Sequence, residues 1–161
     1  MPPSPSQRPS HYDLPATGPA VEDHGRAVTT HPQAAAWYRR AQRAADPRRA
    51  AMALRLAVTA DPDFALAAAD LAAITGTPGR PPGRWPMNWE RHHIEVVTAA
   101  AAGHLTRASD LLREHLASVG CDPLAVRITA RLRDATARDD DLDNLATQLP
   151  GCHATPWPGT P

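Results

Sequence analysis

The sequence predicts an all-α protein, on three observations. The first is composition: 161 residues include one Phe, two Tyr and four Trp. A core must then be built from Ala, Leu, Val and Ile, and a thin alanine-lined core suits closely packed helices better than a β-sandwich. The second is that no run combines β-branched enrichment with period-two alternation, the mark of a strand. The third is punctuation. Asp46-Pro47, Asp61-Pro62 and Asp122-Pro123 precede stretches whose apolar residues recur every three or four positions, the period of a helix face.

Residues 1–31 carry six prolines among Ser, Gly and scattered charges. That composition buries too little apolar surface to offset chain entropy and predicts a disordered lead. A helical domain is expected over 32–150. Ala34, Tyr38, Ala41 and Ala45 mark the first helix. Ala50, Leu54, Ala57 and Val58 mark a second, capped by Asp46 with proline at its first position, where no hydrogen bond is lost. Phe64, Ala67, Leu71 and Ile74 mark a third after Asp61-Pro62. Residues 76–87, GTPGRPPGRWPM, hold Gly or Pro at seven of twelve positions and have no helical option.

A fourth helix is expected to be capped by Asn88 and to run through Ala102, with Trp89, Ile94, Val97 and Ala101 as its apolar residues. After Gly103 a fifth presents Leu105, Ala108, Leu112, His115 and Val119 at spacings of three and four, and Gly120 stops it. A sixth follows Asp122-Pro123, with Leu124, Ile128, Leu132 and Ala135 inward. Leu142, Leu145 and Leu149 predict a short seventh, and 151–161 reads as a flexible tail.

Composition also bounds function. Seventeen basic residues, all arginine, balance seventeen acidic ones, so nothing draws the chain nonspecifically to nucleic acid or to an anionic membrane. The absence of lysine beside 32 alanines reads as the coding bias of a GC-rich genome. No apolar run approaches the roughly 18 residues of a membrane span, and the first residues lack a signal-peptide core; a cytoplasmic protein is expected. Cys121 and Cys152 lack paired metal spacing and read as reduced thiols.

The Asn88–Val119 hairpin holds His92, His93, His104 and His115. Adjacent His92 and His93 point about 100° apart on a helix, and His104 and His115 lie roughly 16 Å apart along one. None makes the i, i+4 pair of a zinc helix, so no metal, cofactor or catalytic residue is expected. His115, on the apolar seam, reads as a hydrogen-bonded packing residue. Trp85 and Trp89 flank the Pro-Gly loop. Either they plug a gap over the third helix, or they rim a groove for a peptide or a second subunit.

Several of these residues resemble the tetratricopeptide family, whose helical hairpins stack at a period near 34 residues. Ala50, Ala57 and Pro62, and again Gly103 and Ala108, are similar to its small inter-helix positions. Glu90-Arg91, His93-Ile94, Gly103, Ala108, Leu111-Leu112, His115-Leu116 and Leu124–Arg127 resemble the branch named for tetratricopeptide repeat protein 38, as do Asp61–Ala67 and Asp141–Pro150. Where that branch has a further helix, this chain has the Pro-Gly loop. The resemblance implies an antiparallel hairpin array of about seven helices, a TPR-like solenoid. It also implies a noncatalytic scaffold for a protein or peptide partner, including a second copy of itself. Candidate partner-binding residues are Tyr38, Trp85, Trp89, His92, His93, Arg127 and Arg131. The competing expectation is a small helical enzyme or ligand-binding protein with its site at Trp85–His93.

Overall fold

The protein, in a computed structural model, is all-helical. The structure describes residues 20–79, 81, 83–135 and 157–158. Its helices are α1 (Pro32–Gln42), α2 (Pro47–Ala60), α3 (Ala65–Thr75), α4 (Asn88–Ala101), α5 (Leu105–Val119) and α6 (Pro123–Asp134). The expected seventh helix lies outside the described residues.

Local chemistry explains most of the boundaries. The Asp46 carboxylate accepts from Arg49 N at 2.9 Å and that of Asp122 from Ala125 N at 3.2 Å, each followed by a first-turn proline. Gly103 and Gly120, at φ 79° and 83°, adopt the left-handed backbone that ends α4 and α5 at little cost only for glycine. Asp61 departs from the pattern. Helix α3 begins three residues after Pro62, at Ala65, because the Asp61 carboxylate is taken instead by Thr30 Oγ1 at 2.5 Å and Arg84 Nη1 at 2.6 Å.

Helices α1 and α2 pair, α2 leads to α3 and α3 to α4, and α4 pairs with α5; α6 lies against α1, α3, α4 and α5. The main core gathers Trp37, Tyr38, Leu54, Phe64, Leu66, Val97, Leu124 and Ile128 around buried alanines of α1 and α2. Tyr38 and Phe64 meet edge-on at 5.3 Å. Smaller clusters join Val96 to Leu112, Leu116 and Val126, and Ala108 to Ala99 and Ala100. The α5 seam is buried at Ala108, Leu112, His115 and Leu116. Of the faces expected for α3 and α4, Phe64, Ala67 and Val97 are buried, whereas Leu71, Ile74, Trp89 and Ile94 pack half-buried against the core. Asp70 and His93, outside those faces, are buried as well.

Two ends assigned to disorder belong in part to the body. Residues 20–31 form a strap whose Val21 and Ala27 bridge, and buried carboxylates fasten it. Glu22 accepts from His24 N and Arg26 N at 2.9 and 3.0 Å and from Gln42 Nε2 of α1 at 2.9 Å. Burial opposes its ionisation, but Arg26 and Gln42 outweigh it and lower its pKa. Glu90 of α4 accepts from Thr29 N at 2.8 Å and from Met87 N at 2.7 Å, closing the start of its own helix. At the other end Trp157 is buried and donates from Nε1 to Ala44 O at 3.1 Å. The rest of the tail, like residues 1–19, lies outside the described residues.

Cys121 is disulfide-bonded, which corrects the expectation of a reduced thiol. Cys152, the only other cysteine of the chain, lies outside the described residues. No described helix is long and apolar enough to cross a membrane.

Replacing Glu90 by Ala leaves Thr29 N and Met87 N without their acceptor, which costs about 1–3 kcal/mol for a buried unmade bond. The expected outcome is faster tryptic cleavage at Arg26 under native conditions. Cleavage at the wild-type rate would show that other contacts hold the strap.

Candidate functional site

Five side chains from five helical elements form one buried polar chain. Tyr38 of α1 donates to Asp70 Oδ2 of α3 at 2.9 Å. The His93 ring of α4 lies between two carboxylates, with Nε2 at 2.6 Å from Asp70 Oδ1 and Nδ1 at 2.6 Å from Asp122 Oδ2. His115 of α5 reaches the same Asp122 oxygen through Nε2 at 2.8 Å, its ring edge-on to that of His93 at 6.0 Å. Asp122 also caps α6. Tyr38, Asp70, His93 and His115 are fully inaccessible to solvent, and Asp122 nearly so.

Since both ring nitrogens of His93 face carboxylate oxygens, both carry protons, and the ring is an imidazolium. Burial opposes that charge, but Asp122 and Asp70 overcome it and push the pKa up from 6.5 to about 10. Burial likewise opposes ionisation of Asp122, yet the His93 charge and the bonds from His115 and His93 hold its carboxyl well below the usual range. Asp70 has fewer donors, so burial prevails and its pKa is raised. For Tyr38, burial and the Asp70 charge push the hydroxyl well above its ordinary 10. Nδ1 of His115 is buried and makes no hydrogen bond.

Of the residues singled out by sequence, Tyr38 and His93 meet here through Asp70, sealed away from any partner. The others stand apart. His92 is exposed. Trp85 is 81% exposed, with Arg91 5.7 Å from its ring, so it does not plug the gap. Trp89 is half-buried, donates to Ala27 O at 3.0 Å and lies under Arg26 at 4.6 Å, so it packs on the strap. Arg127 donates to Gln42 O at 2.7 Å, and burial lowers its pKa. Arg131 reaches Ile74 O at 3.5 Å.

Asp70 and Asp122 were missed as site residues. Asp122 stood out only in the Asp122-Pro123 pair that precedes the sixth helix. Asp70 had a faint mark, as the one charged residue in the otherwise apolar ALAAADLAAIT of α3.

An accessible concavity among the described residues lies elsewhere. A trough of about 520 Å³ runs between α3 and α4 and beneath the Pro-Gly loop, lined by Ala65, Ala69, Ala72, Thr77, Pro78, Ile94, Thr98 and Ala101 among others. None of its described lining residues is ionisable. No family model matches this chain, and no curated protein or solved structure does either.

The buried chain makes stability fall with alkalinity. A group whose pKa is higher folded than unfolded contributes fully below the unfolded value and loses that contribution as pH rises through the folded one. For His93 the window runs from 6.5 to about 10, while Tyr38 adds a loss only above its ordinary 10. Urea midpoints should therefore fall between pH 6 and pH 9 in the wild type and much less in His93→Gln. His93→Ala, which strands two buried carboxylates, should cost about 3–5 kcal/mol. Equal pH slopes in wild type and His93→Gln would contradict the imidazolium.

Proposed function

We propose that the protein is a noncatalytic interaction module, and that its working surface is the trough between α3 and α4. The single observation carrying this is a separation of chemistry from access. The described cluster of convergent ionisable side chains, His93, His115, Asp70, Asp122 and Tyr38, is sealed in the core. The accessible trough offers no ionisable group among its described residues. A binding site of this size is ordinary for a ligand or a docked side-chain stripe, but an acid–base or nucleophilic reaction needs a reactive group within hydrogen-bond reach of its substrate.

Ala65, Ala69 and Ala72 on α3 and Ile94, Thr98 and Ala101 on α4 repeat at helical spacing along the trough. Such a floor suits the apolar face of a helix laid into a groove, supplied by a partner protein or by a second copy of the chain. Trp85, exposed at the end of the same loop, is the best-placed anchor residue, since Trp is enriched where binding energy concentrates.

A tetratricopeptide-like origin is part of the same proposal. Its support is the pairing of α1 with α2 and of α4 with α5, with Ala50, Ala57 and Ala108 fully buried and Gly103 turning between the second pair. The contact of α6 with α1 and α3 makes the body more closed than an extended array.

Ala72→Trp fills the trough without touching the buried chain. It should leave thermal stability within about 1 kcal/mol, as surface substitutions usually do. It should also abolish crosslinks from a photoreactive residue placed at Thr98, whether to a partner in host cells or between copies. A wild-type protein that stays monomeric by light scattering and gives no crosslink, or one that retains a small apolar ligand in native mass spectrometry, would replace this reading.

A cytoplasmic site of action belongs to the same proposal, and the disulfide at Cys121 is the observation that tests it, because such bonds persist chiefly in oxidising compartments. Rapid alkylation of intact cells followed by mass spectrometry decides the compartment: an intact disulfide at Cys121 would assign the protein to an oxidising one, and a reduced Cys121 would keep the cytoplasmic reading.

A further inference from the structure

We propose that His93, His115 and Asp122 form a binding site for one divalent transition-metal ion of the zinc class, where α4, α5 and the N-cap of α6 meet. One donor atom from each residue lies within 4.8 Å of the other two. Both histidine nitrogens already converge on a single carboxylate oxygen, at 2.6 and 2.8 Å. Zinc–nitrogen bonds of about 2.0–2.1 Å place tetrahedral donors roughly 3.3 Å apart, so an ion fits after an opening of about half an ångström. Two imidazoles and a carboxylate are the donor set that zinc and its neighbours favour over magnesium or calcium.

The surroundings fit a metal centre as well. Asp70 holds the other ring nitrogen of His93 at 2.6 Å, the carboxylate–histidine arrangement that orients metal ligands. Tyr38 in turn fixes Asp70.

His115 supplies the independent observation: it is fully buried, and its Nε2 shares an oxygen already taken by His93. Protons alone leave that residue buried for one shared hydrogen bond. As a metal ligand it has a reason to be there.

Because the cluster is closed to solvent, the ion serves structure and enters as the chain folds, coupling metal affinity to folding. It ties α4, α5 and α6 directly, and α3 and α1 through Asp70 and Tyr38.

The test uses the full chain, unfolded in chelator, stripped of metal and refolded with Zn²⁺, Co²⁺, Mg²⁺ or none. We expect one Zn²⁺ per chain to survive gel filtration, a rise in melting temperature with Zn²⁺ but not with Mg²⁺, and visible absorption from the Co²⁺ form. His115→Gln, which keeps a donor toward Asp122, should weaken Zn²⁺ binding at least about tenfold, while His92→Gln and His104→Gln bind as the wild type does. If His115→Gln does not fold, the ring ¹⁵N resonances of the wild type decide: His93 and His115 should shift with Zn²⁺ while His92 and His104 do not. No retained metal, retention unchanged in His115→Gln, or unshifted His93 and His115 resonances would overturn the site.

Discussion

A protonated imidazole held between two buried carboxylates organises this molecule. His93 touches Asp70 on one side and Asp122 on the other, at 2.6 Å each, and through them links five of the six described helices. The desolvation of such charges costs several kcal/mol per ion, and only close geometry with satisfied hydrogen bonds repays it. The consequence is specificity. A core rich in alanine offers many nearly equivalent ways to slide one helix along another. A charge that must find two acceptors at once offers very few.

Bringing Asp70 and His93 inward fixes which faces of α3 and α4 meet the core. Ala67 and Val97 are buried beside them. Leu71, Ile74, Trp89 and Ile94 pack half-buried against the same core, and an apolar trough lies between the two helices beneath the Pro-Gly loop. The same logic governs the strap over residues 20–31, where Glu22, Asp61 and Glu90 accept backbone and side-chain donors of a segment with little apolar surface of its own.

Acidic residues therefore carry much of the organisation of a chain that is neutral overall. Asp46 and Asp122 cap helices, Asp61 and Glu90 hold the strap, and Asp70 and Asp122 hold the imidazolium. Each works through a fixed number of donors at short range, so a chain with few aromatic residues gains a defined arrangement that apolar packing would leave loose. Trp157, docked on Ala44, and Trp89, spread under Arg26, extend the body with two of its few large side chains.

What the sequence by itself determined was local. Helix class, the starts of α2 and α6 and the glycine stops of α4 and α5 follow from capping, proline geometry, glycine at positive φ and a period of three or four, all of which act within a few residues. Helix α4, however, is capped by Met87 and not by the expected Asn88. The burial of His115 followed in the same way, from its place on the α5 seam. Tertiary structure decided the rest, because it depends on pairs far apart in the chain. Asp70 and His93 are 23 residues apart, and His93 and Asp122 are 29. No spacing rule within one helix reveals that a cap residue, a lone acid in an alanine helix and one of two adjacent histidines share a site. Glu22 was hidden for a related reason, since the proline-rich composition around it spoke only of chain entropy and not of the Gln42 and Arg26 groups waiting to bind it. Hydrogen-bond partners are chosen by three-dimensional proximity, and that choice placed His93 in the core.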